Sequence, residues 1–412
     1  MRVLHVSDVY FPRVNGVSTS IATFRADLST HGIETVLVAP EYLPPRRGAH
    51  THSSLATEPD VLRVPSRSVP GDPEDRRMLW RPLLRALASA AREPFDLLHI
   101  QTPFIAHYAG MRHARAARIP CVATYHTFFE EYLHHYAPLL PRAVGRTLVR
   151  AFTRSQSRQV DALIAPSEPM REVLRQYGVT APIHVLPTGL PADRFRPGDA
   201  RRFRALAELP ADRPLLVYVG RIAHEKNIEF LIRSYARVRR EAPQAMLIIA
   251  GEGPAREALR RLAVELGLDR DVRFVGYLDR NEALLDCYAA AHAFVFASRT
   301  ETQGLVLLEA MAQGAPIVST ASLGTRSVLK PESGAIVVPE QIEEFAAAML
   351  RVLQRAELRD ELAVRSRRYA ASWSSLGFAS ELANLYRGIC ERYAGRDPAP
   401  SARAVGAQRQ PL

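Results

Sequence analysis

The stretch that decides the fold is Arg299-Thr300-Glu301-Thr302-Gln303-Gly304-Leu305-Val306-Leu307-Leu308-Glu309-Ala310-Met311. It follows residues 293–297, an apolar run that predicts a buried strand. Gly304 marks a turn that opens a helix, and Glu309 falls inside that helix. We therefore expect Glu301 on the loop and Glu309 two turns further on, where the two carboxylates can hold two parts of one ligand. The plainer alternative is a solvated acid beside a glutamate that stabilises the helix.

Two more polar loops follow apolar strands upstream. Gly220-Arg221-Ile222-Ala223-His224-Glu225-Lys226-Asn227 comes after residues 215–219, and Gly251-Glu252-Gly253-Pro254 comes after residues 245–250. In doubly wound sheets, ligands bind in the crevice outside the carboxyl ends of the strands. Three such loops at successive strand ends therefore favour one shared ligand site over three ordinary surface turns.

Apolar runs and amphipathic runs alternate along the whole chain. Strands are predicted at residues 3–6, 35–39, 97–100, 121–125, 162–165 and 184–186, and then at 215–219, 245–250, 272–275, 293–297, 316–319 and 335–338. Helices are predicted at 18–31, 78–92, 106–118, 143–159, 169–177, 228–241, 255–266, 280–290, 304–313, 340–354 and 375–392. This alternation predicts two doubly wound parallel sheets with helices on both faces. Residues 57–75, rich in proline, arginine and serine, are predicted to form a long loop.

The order of the three motifs resembles the donor-binding half of retaining glycosyltransferases of the GT-B fold, in the group called family 4. The resemblance extends from Met1 to about Tyr393 and is strongest between residues 215 and 320. It implies two Rossmann-like domains that face a central cleft, a nucleotide sugar as donor and a hydroxyl group as acceptor. The implied mechanism is front-face attack, in which the departing β-phosphate takes the acceptor's proton and no side-chain nucleophile is required.

Arg221 and Lys226 are the candidate cations for the leaving group. Breaking a sugar–phosphate bond puts negative charge on the departing diphosphate, and two cations can stabilise that charge without a metal ion. Lys226 is one of only two lysines beside 52 arginines in this chain, so its position in the loop favours a site. The alternative is that both side chains pair with local acids such as Glu225.

The resemblance assigns roles to the remaining loop residues. Glu301 would contact hydroxyls of the donor sugar, Glu309 would accept hydrogen bonds from the ribose, and the backbone N–H groups that open the helix would meet the diphosphate. His126, which follows residues 121–125, would reach the donor sugar near its reactive carbon. The predicted catalytic residues are His126, Arg221, Lys226 and Glu301. The predicted donor-binding residues are Asn15, Gly16, Val17, Gly220, Gly251, Gly253, Gln303, Gly304, Leu305, Val306 and Glu309.

Taken alone, the Asn15-Gly16 pair and His126 each have an ordinary structural explanation. Asn15-Gly16 is a common turn sequence, and a lone histidine at a strand end is more often structural than catalytic. Position after the first strand of a doubly wound sheet favours the site interpretation for Asn15, Gly16 and Val17. Many relatives have an aromatic residue where this chain has Gln303, and the Thr302-Gln303 variant is similar to members that glycosylate diacylglycerol lipids.

Metal binding has two weak candidates. The run His126, Glu130, Glu131, His134, His135 lacks an HExxH arrangement. Asp269-Arg270-Asp271 has the form of the DxD motif of metal-dependent glycosyltransferases, but it precedes a strand and lies far in sequence from the phosphate loops. No bound metal or other cofactor is therefore predicted.

Length and composition fit a two-domain enzyme of 412 residues with 47% hydrophobic residues. We predict an acceptor-side Rossmann-like domain at residues 1–190 and a nucleotide-sugar-binding one at 191–372. A helix at 373–394 would cross back to the first domain, and a disordered tail would occupy 395–412. No apolar run reaches a membrane-spanning length, no signal peptide is recognised, and Cys121, Cys287 and Cys390 are scattered. These features favour a cytoplasmic protein.

Residues 132–160 contain no acidic residue and form the second informative stretch. Arginines recur every four residues on one predicted helix, and apolar residues lie on its other side and just ahead of it. Such a basic amphipathic helix is typical of attachment to an anionic membrane surface, on the inner face of the cell membrane. The alternative is a solvated face over a core helix; nucleic acid is not expected as a partner. The five predicted membrane-binding residues are Arg142, Arg146, Arg150, Arg154 and Arg158.

We therefore predict a retaining hexosyltransferase that uses UDP-glucose and acts on a membrane lipid such as diacylglycerol. Mannosyl transfer from GDP-mannose to an inositol lipid, or sugar addition to a polysaccharide, is the main enzymatic alternative. A regulator that only binds nucleotide sugars is the alternative of another class; the presence of both Arg221 and Lys226 argues against it. An epimerase or a pyridoxal-dependent phosphorylase of the same fold fits less well, because neither Lys226 nor Lys330 has a suitable setting.

Overall fold

Strands and helices alternate along the chain as the hydrophobic pattern predicts, and the long strands form two separate parallel sheets. The computed structural model describes residues 1–42, 58–69, 72–128, 130 and 141–395. Each sheet is covered by helices on both faces and has its own apolar core. The prediction of an α/β chain with two Rossmann-like sheets is confirmed.

The N-terminal sheet and its helices are called the first domain below. In chain order its elements are β1 Arg2–Val6, α1 Gly16–Leu28, β2 Glu34–Pro40, β3 Val61–Val64, β4 Ser66–Val69, β5 Asp72–Met78, α2 Trp80–Ala90, β6 Leu97–Ile100, α3 Ile105–Ala117, β7 Cys121–Thr124, α4 Arg142–Ser157, β8 Ala162–Ala165, α5 Glu168–Gln176 and β9 Ile183–Val185. The sheet order is β3-β2-β1-β6-β7-β8-β9, and all of its pairings are parallel. Every residue of β6 and β8 is buried, because helices cover these strands on both sides.

The C-terminal sheet and its helices are called the second domain. Its elements are α6 Ala200–Leu206, β10 Leu215–Val219, α7 Ile228–Glu241, β11 Met246–Ala250, α8 Arg256–Glu265, β12 Val272–Gly276, α9 Ala283–Ala289, β13 Ala293–Phe296, α10 Leu305–Ala312, β14 Ile317–Ser319, α11 Thr325–Val328, β15 Ala335–Val337, α12 Ile342–Gln354 and α13 Ala356–Ala371. The sheet order is β12-β11-β10-β13-β14-β15, so the winding direction reverses between β10 and β13. Such a reversal opens a crevice at the carboxyl ends of the strands.

The last helix, α14 Ser375–Ala394, follows the second domain in sequence but lies on the first. Leu382, Tyr386 and Ile389 pack with Val3 and Leu97 of the first sheet. The two chain crossings between the domains run side by side: the Leu190 N–H donates to the Trp373 carbonyl at 2.7 Å, and the Ser375 N–H donates to the Leu190 carbonyl at 3.0 Å. The domains are thus joined by two hydrogen-bonded connecting segments and by this helix.

The prediction of a long loop at residues 57–75 is wrong. Within this stretch β3 adds a parallel edge strand beside β2, and β4 pairs with β5 as an antiparallel hairpin. The strands are short and carry arginines and prolines between their apolar positions, which hid the period-2 pattern. Helices α6 and α13 were also missed.

The remaining predictions about the periphery fall mostly outside the described residues. Apart from Gly395, the tail predicted as disordered lies beyond them, as do Glu131, His134 and His135. In the part of the chain that is described, none of the helices has the length and apolar character needed to cross a bilayer.

Candidate active site

Loops from both sheets meet at one cleft between the domains. The first domain contributes the loops after β1 and β7, and the second contributes the loops after β10, β11 and β13. Nearly all of the predicted catalytic and donor-binding residues line this cleft: Asn15, Gly16, Val17, His126, Gly220, Arg221, Lys226, Gly251, Glu301, Gln303, Gly304, Leu305, Val306 and Glu309. The three polar loops therefore form one site, as expected from their positions at successive strand ends.

Helix α10 begins where the sequence predicts, directly after Gly304. The φ of Gly304 is 98°, in the left-handed region that residues with side chains rarely adopt. Within the described residues no side chain caps this helix, and its first turn carries no acid. The first N–H groups of α10 thus face the cleft with the positive end of the helix dipole behind them.

Lys226 and Glu301 form an ion pair across the cleft floor. The Lys226 Nζ lies 2.6 Å from the Glu301 Oε1, and the two side chains are only 15% and 21% exposed. A short turn, His224–Lys226, places the lysine after β10, and Asn227 closes it with a φ of 57°. The pair thus places a cation and an acid side by side in the cleft.

Arg221 has an acid of its own close by. Its Nη1 lies 3.8 Å from the Glu225 Oε1, with side-chain exposures of 16% and 7%. Pairing with Glu225 was the alternative to a role in the site, and the structure contains both features, because Arg221 also lines the cleft.

Glu309 is almost fully buried and is held by two partners that sequence reasoning missed. Arg280 donates from Nη2 to the Glu309 Oε1 at 2.5 Å, and the Tyr288 hydroxyl donates to Oε2 at 3.0 Å. Arg280 lies four residues beyond β12, so the strand-end rule that found the other loops could have found it as well. A carboxylate offers about four acceptor positions, so Glu309 can bind both partners and still accept from a ligand.

His126 is half-buried at the edge of the first sheet. Its Nε2 lies 2.9 Å from the Gln101 Oε1, and the Gln101 Nε2 lies 2.9 Å from the His5 Nδ1. Since the Gln101 carbonyl accepts, the proton of His126 lies on Nε2. Burial lowers the pKa of His126 to about 4, so the ring is neutral at physiological pH. A neutral ring can orient a hydroxyl group without adding charge.

Two predicted donor-binding residues have other contacts. The Gln303 side chain, predicted to face the donor, forms two hydrogen bonds through its amide with the backbone of Thr188, which also lines the cleft. Gly253 does not line the cleft. A side chain there would collide with the carbonyl of Ile222, so the glycine lets two neighbouring loops pack closely.

The arginine stripe is partly occupied by contacts within the first domain. Arg146 and Arg150 approach Glu130 at 3.8 and 3.3 Å, and the Arg150 guanidinium lies 5.5 Å from the centre of the Tyr177 ring. Arg154 is half-buried, Arg158 is exposed, and the Arg142 side chain lies outside what the structure describes. On the opposite flank of α4, Val144 and Leu148 are exposed.

The DxD-like motif is committed to packing in the second domain. Asp271 forms ion pairs with Arg213 and Arg239 at 2.6 and 2.7 Å. Among the described residues, no three His, Cys, Asp or Glu side chains group as ligands for a metal ion.

Comparison with known proteins gives the chain two family matches. Residues 14–194 match the model described as Glycosyltransferase Family 4, and residues 199–369 match that described as Glycosyl transferases group 1. The chain is 31% identical to the alpha-monoglucosyldiacylglycerol synthase of Streptococcus pneumoniae over 92% of its own length and 84% of the relative's. It is 28% identical to a GDP-mannose-dependent alpha-mannosyltransferase of Mycobacterium tuberculosis over 82% and 84%.

The architecture also has solved counterparts. The sucrose-phosphate synthase structure from Thermosynechococcus elongatus superposes with a TM-score of 0.77 at 23% identity, covering 95% of this chain and 100% of the other. At that identity the likeness concerns the fold. Taken together, the cleft, the motifs and both family matches establish that the chain belongs to the GT-B glycosyltransferases, with a family 4 domain followed by a group 1 domain.

Proposed function

We propose that this glycosyltransferase moves glucose from UDP-glucose to a diacylglycerol lipid in an anionic membrane, with retention of the anomeric configuration. The observation that carries the donor half is the Lys226–Glu301 pair beside the open N-terminus of α10. It supports a donor whose diphosphate meets the cations and the helix start, and whose sugar meets the glutamate. The relative named alpha-monoglucosyldiacylglycerol synthase supports the choice of sugar and acceptor.

In this proposal the second domain holds the nucleotide. Glu309, held in place by Arg280, accepts hydrogen bonds from the ribose hydroxyls. The diphosphate takes Lys226 from Glu301, and the freed carboxylate binds hydroxyls of the sugar. Arg221 and the first N–H groups of α10 complete the positive surface.

The reaction then exchanges one bond for another on the same face of the sugar. The bond between the anomeric carbon and the β-phosphate oxygen breaks, and the acceptor oxygen bonds to that carbon. The acceptor's proton passes to the departing phosphate, so no protein side chain gains or loses a proton. Neutral His126 lies at the first-domain edge of this cleft, where it can orient a sugar or acceptor hydroxyl.

The lipid half of the proposal depends on exposed apolar side chains of two helices of the first domain. Phe104 and Tyr108 at the start of α3 are 54% and 48% exposed, and Leu148 and Val144 on α4 are 54% and 46% exposed. The two helices are tied together by the Gln156 Nε2, which donates to the Pro103 carbonyl at 2.5 Å. Exposed aromatic and aliphatic side chains beside arginines favour a peripheral contact with anionic lipid, and thus a position at the inner face of the cell membrane.

The test is a transfer assay with vesicles of phosphatidylglycerol and diacylglycerol. With UDP-[14C]glucose we expect labelled lipid, and proton NMR of the product should show an α-linked sugar. GDP-mannose with phosphatidylinositol vesicles is the competing arm, because a mannosyltransferase is among the relatives. Transfer only from GDP-mannose, or a β-linked product, would overturn the proposal. Activity should survive EDTA, since cations of the protein carry the leaving-group role.

A further inference from the structure

Three consecutive residues connect the donor loop to the opposite domain. Glu301 faces the cleft through its ion pair with Lys226, and the next two residues, Thr302 and Gln303, form hydrogen bonds to the first domain. Their partners come from the loops after three neighbouring strands, β7, β8 and β9. The segment that carries the predicted sugar-binding acid is therefore also an interdomain contact.

Thr302 binds two of those loops. Its Oγ1 donates to the backbone carbonyl of His126 at 2.9 Å, and its own carbonyl accepts from the Ser167 Oγ at 2.6 Å. The first of these bonds joins the neighbour of Glu301 directly to the residue that carries the imidazole. The distance between that imidazole and the Glu301 carboxylate is thus fixed through one side chain.

Gln303 binds the third loop with its whole amide. Its Oε1 accepts from the Thr188 N–H at 2.8 Å and its Nε2 donates to the Thr188 carbonyl at 2.6 Å. Both residues are buried, at 5% and 4% exposure. The Thr188 hydroxyl in turn donates to the Ser20 Oγ at 2.7 Å. Ser20 lies on α1, whose first residues line the cleft, so the contact extends from the donor loop to the far wall.

A second loop supports the segment from behind. The Gly324 N–H donates to the Glu301 carbonyl at 2.8 Å, and a side chain at Gly324 would collide with the Thr302 carbonyl. Leu323, at a φ of 47°, packs against the apolar core of the first domain. Residues 301–303 are therefore contacted by this loop as well as by the first domain.

We propose that Thr302 and Gln303 are positioning residues, which together form an interdomain clasp that holds the two domains in the arrangement seen here and sets Glu301 against His126. The assignment of Glu301 to the sugar rests on the proposed function, but the clasp itself does not. A buried amide with both groups satisfied across an interface contributes to closure rather than to nucleotide affinity.

The test compares Gln303→Met with Gln313→Met. Both glutamines are buried and flank α10, but the side-chain amide of Gln313 binds the Arg194 and Arg196 carbonyls and the Gly198 N–H, all within the second domain's part of the chain. Small-angle X-ray scattering of the ligand-free proteins should give a larger radius of gyration for Gln303→Met and an unchanged one for Gln313→Met. With UDP-glucose as donor, kcat of Gln303→Met should fall about tenfold while the Kd for UDP stays within about twofold.

Gln303→Glu adds a pH-dependent change in kcat, which a general loss of structure would not produce. At neutral pH its carboxylate accepts from the Thr188 N–H but repels the Thr188 carbonyl. When protonated, it can donate to that carbonyl and restore both bonds. The ratio of variant to wild-type kcat should therefore rise as pH falls, whereas the ratio for Gln303→Met should stay flat.

The outcomes separate the clasp from the proposed function. Weaker UDP binding by Gln303→Met with an unchanged radius of gyration would overturn the clasp and return Gln303 to the donor site. Equal kcat and equal radius in wild type and Gln303→Met would also overturn it. If the radius of gyration of Gln303→Met increases as expected but the enzyme does not use UDP-glucose, the clasp is supported and the assigned donor is refuted.

Discussion

The two walls of the cleft are built from different chemistry. The second-domain wall carries charged side chains at the ends of its strands, among them Arg221, Lys226, Glu301 and Glu309. The first-domain wall is largely neutral, with Asn15, Gly16 and a neutral His126, and its Arg13 is paired with Asp75 at 3.1 Å. A diphosphate needs charge at fixed positions, whereas a hydroxyl acceptor needs shape and orientation. The charged wall is therefore the donor wall in our account.

The largest expected effect concerns the leaving-group cations. Lys226→Ala and Arg221→Ala should each lower kcat by ~10²-fold or more, because each removes positive charge aimed at the departing phosphate. Lys226→Arg should also be impaired, since a planar guanidinium does not replace a compact ammonium. Steady-state kinetics with UDP-glucose give the measurement. The matched control is Lys330→Ala, which changes the chain's other lysine, an exposed residue. Near wild-type rates in both cleft variants would contradict the assignment of Lys226 and Arg221 as leaving-group cations.

Removing Arg280, the partner of Glu309, should have a smaller effect, mainly on nucleotide affinity. Arg280→Ala leaves this buried carboxylate with the Tyr288 hydroxyl as its remaining described side-chain partner, so the carboxylate is held less firmly and ribose binding weakens. Calorimetry should show the Kd for UDP rising about tenfold, with kcat changed less than in the Lys226 variants. Arg233→Ala, which removes an exposed pair with Glu229, serves as the control. Unchanged UDP affinity would place the ribose elsewhere.

The first domain should respond to lipid where the second does not. Val144→Ser combined with Leu148→Ser should weaken binding to phosphatidylglycerol vesicles about tenfold, because it removes the exposed apolar area of α4. Sedimentation with vesicles measures the partition. The control is Val264→Ser combined with Val364→Ser, which changes valines that are 64% and 55% exposed on the second domain. Equal partition of both double variants would mean that α4 does not contact the membrane.

Acid should loosen the first domain before the second. Among the described residues, burial lowers the pKa of six histidines in the first domain: His5, His99, His107, His113, His126 and His184. In the second domain it does so for His292, to about 4. Below the unfolded pKa of about 6.5, the unfolded chain binds protons that the folded chain does not. These histidines therefore contribute stability above about pH 6.5, which is lost as pH falls toward the folded values.

Hydrogen exchange at pH 7.5 and pH 5 can compare the two domains. Peptides of the first domain should lose more protection on acidification than peptides of the second. His107→Gln should reduce the pH dependence of stability by about 1 kcal/mol, since the pKa of His107 is lowered to about 4. His292→Gln should not change the first-domain peptides. Uniform loss of protection across both sheets would contradict the difference between the domains.

The sequence could predict the site residues whose side-chain type and position at a strand end both point to ligand binding. Lys226, Glu301 and Gly304 follow apolar strands, and a strand end in a doubly wound sheet leaves few places for a ligand. The orientation of Gln303 could not be predicted, because its partner is the backbone of Thr188. Every residue type has the same backbone groups, so the sequence does not identify such a partner. Arg280 was hidden by a background of many arginines.

The same limit applies outside the cleft. The membrane interpretation of the arginine stripe rests on spacing, on the absence of acids in residues 132–160 and on nearby apolar residues, and none of these shows that Arg150 has Glu130 and Tyr177 as neighbours. The exposed Val144 and Leu148 became visible only once the buried face of α4 was known. Strands β3, β4 and β5 were missed because they are held by their pairing partners more than by their own hydrophobic pattern.

The most direct measurement is a crystal structure of the complex with UDP. We expect the β-phosphate within hydrogen-bond distance of the Lys226 Nζ and of the first N–H groups of α10, with the ribose hydroxyls on Glu309. The Lys226–Glu301 distance, 2.6 Å without ligand, should lengthen as the phosphate takes the lysine. A diphosphate bound against the first-domain wall, or a Lys226–Glu301 pair left intact beside bound UDP, would contradict the account.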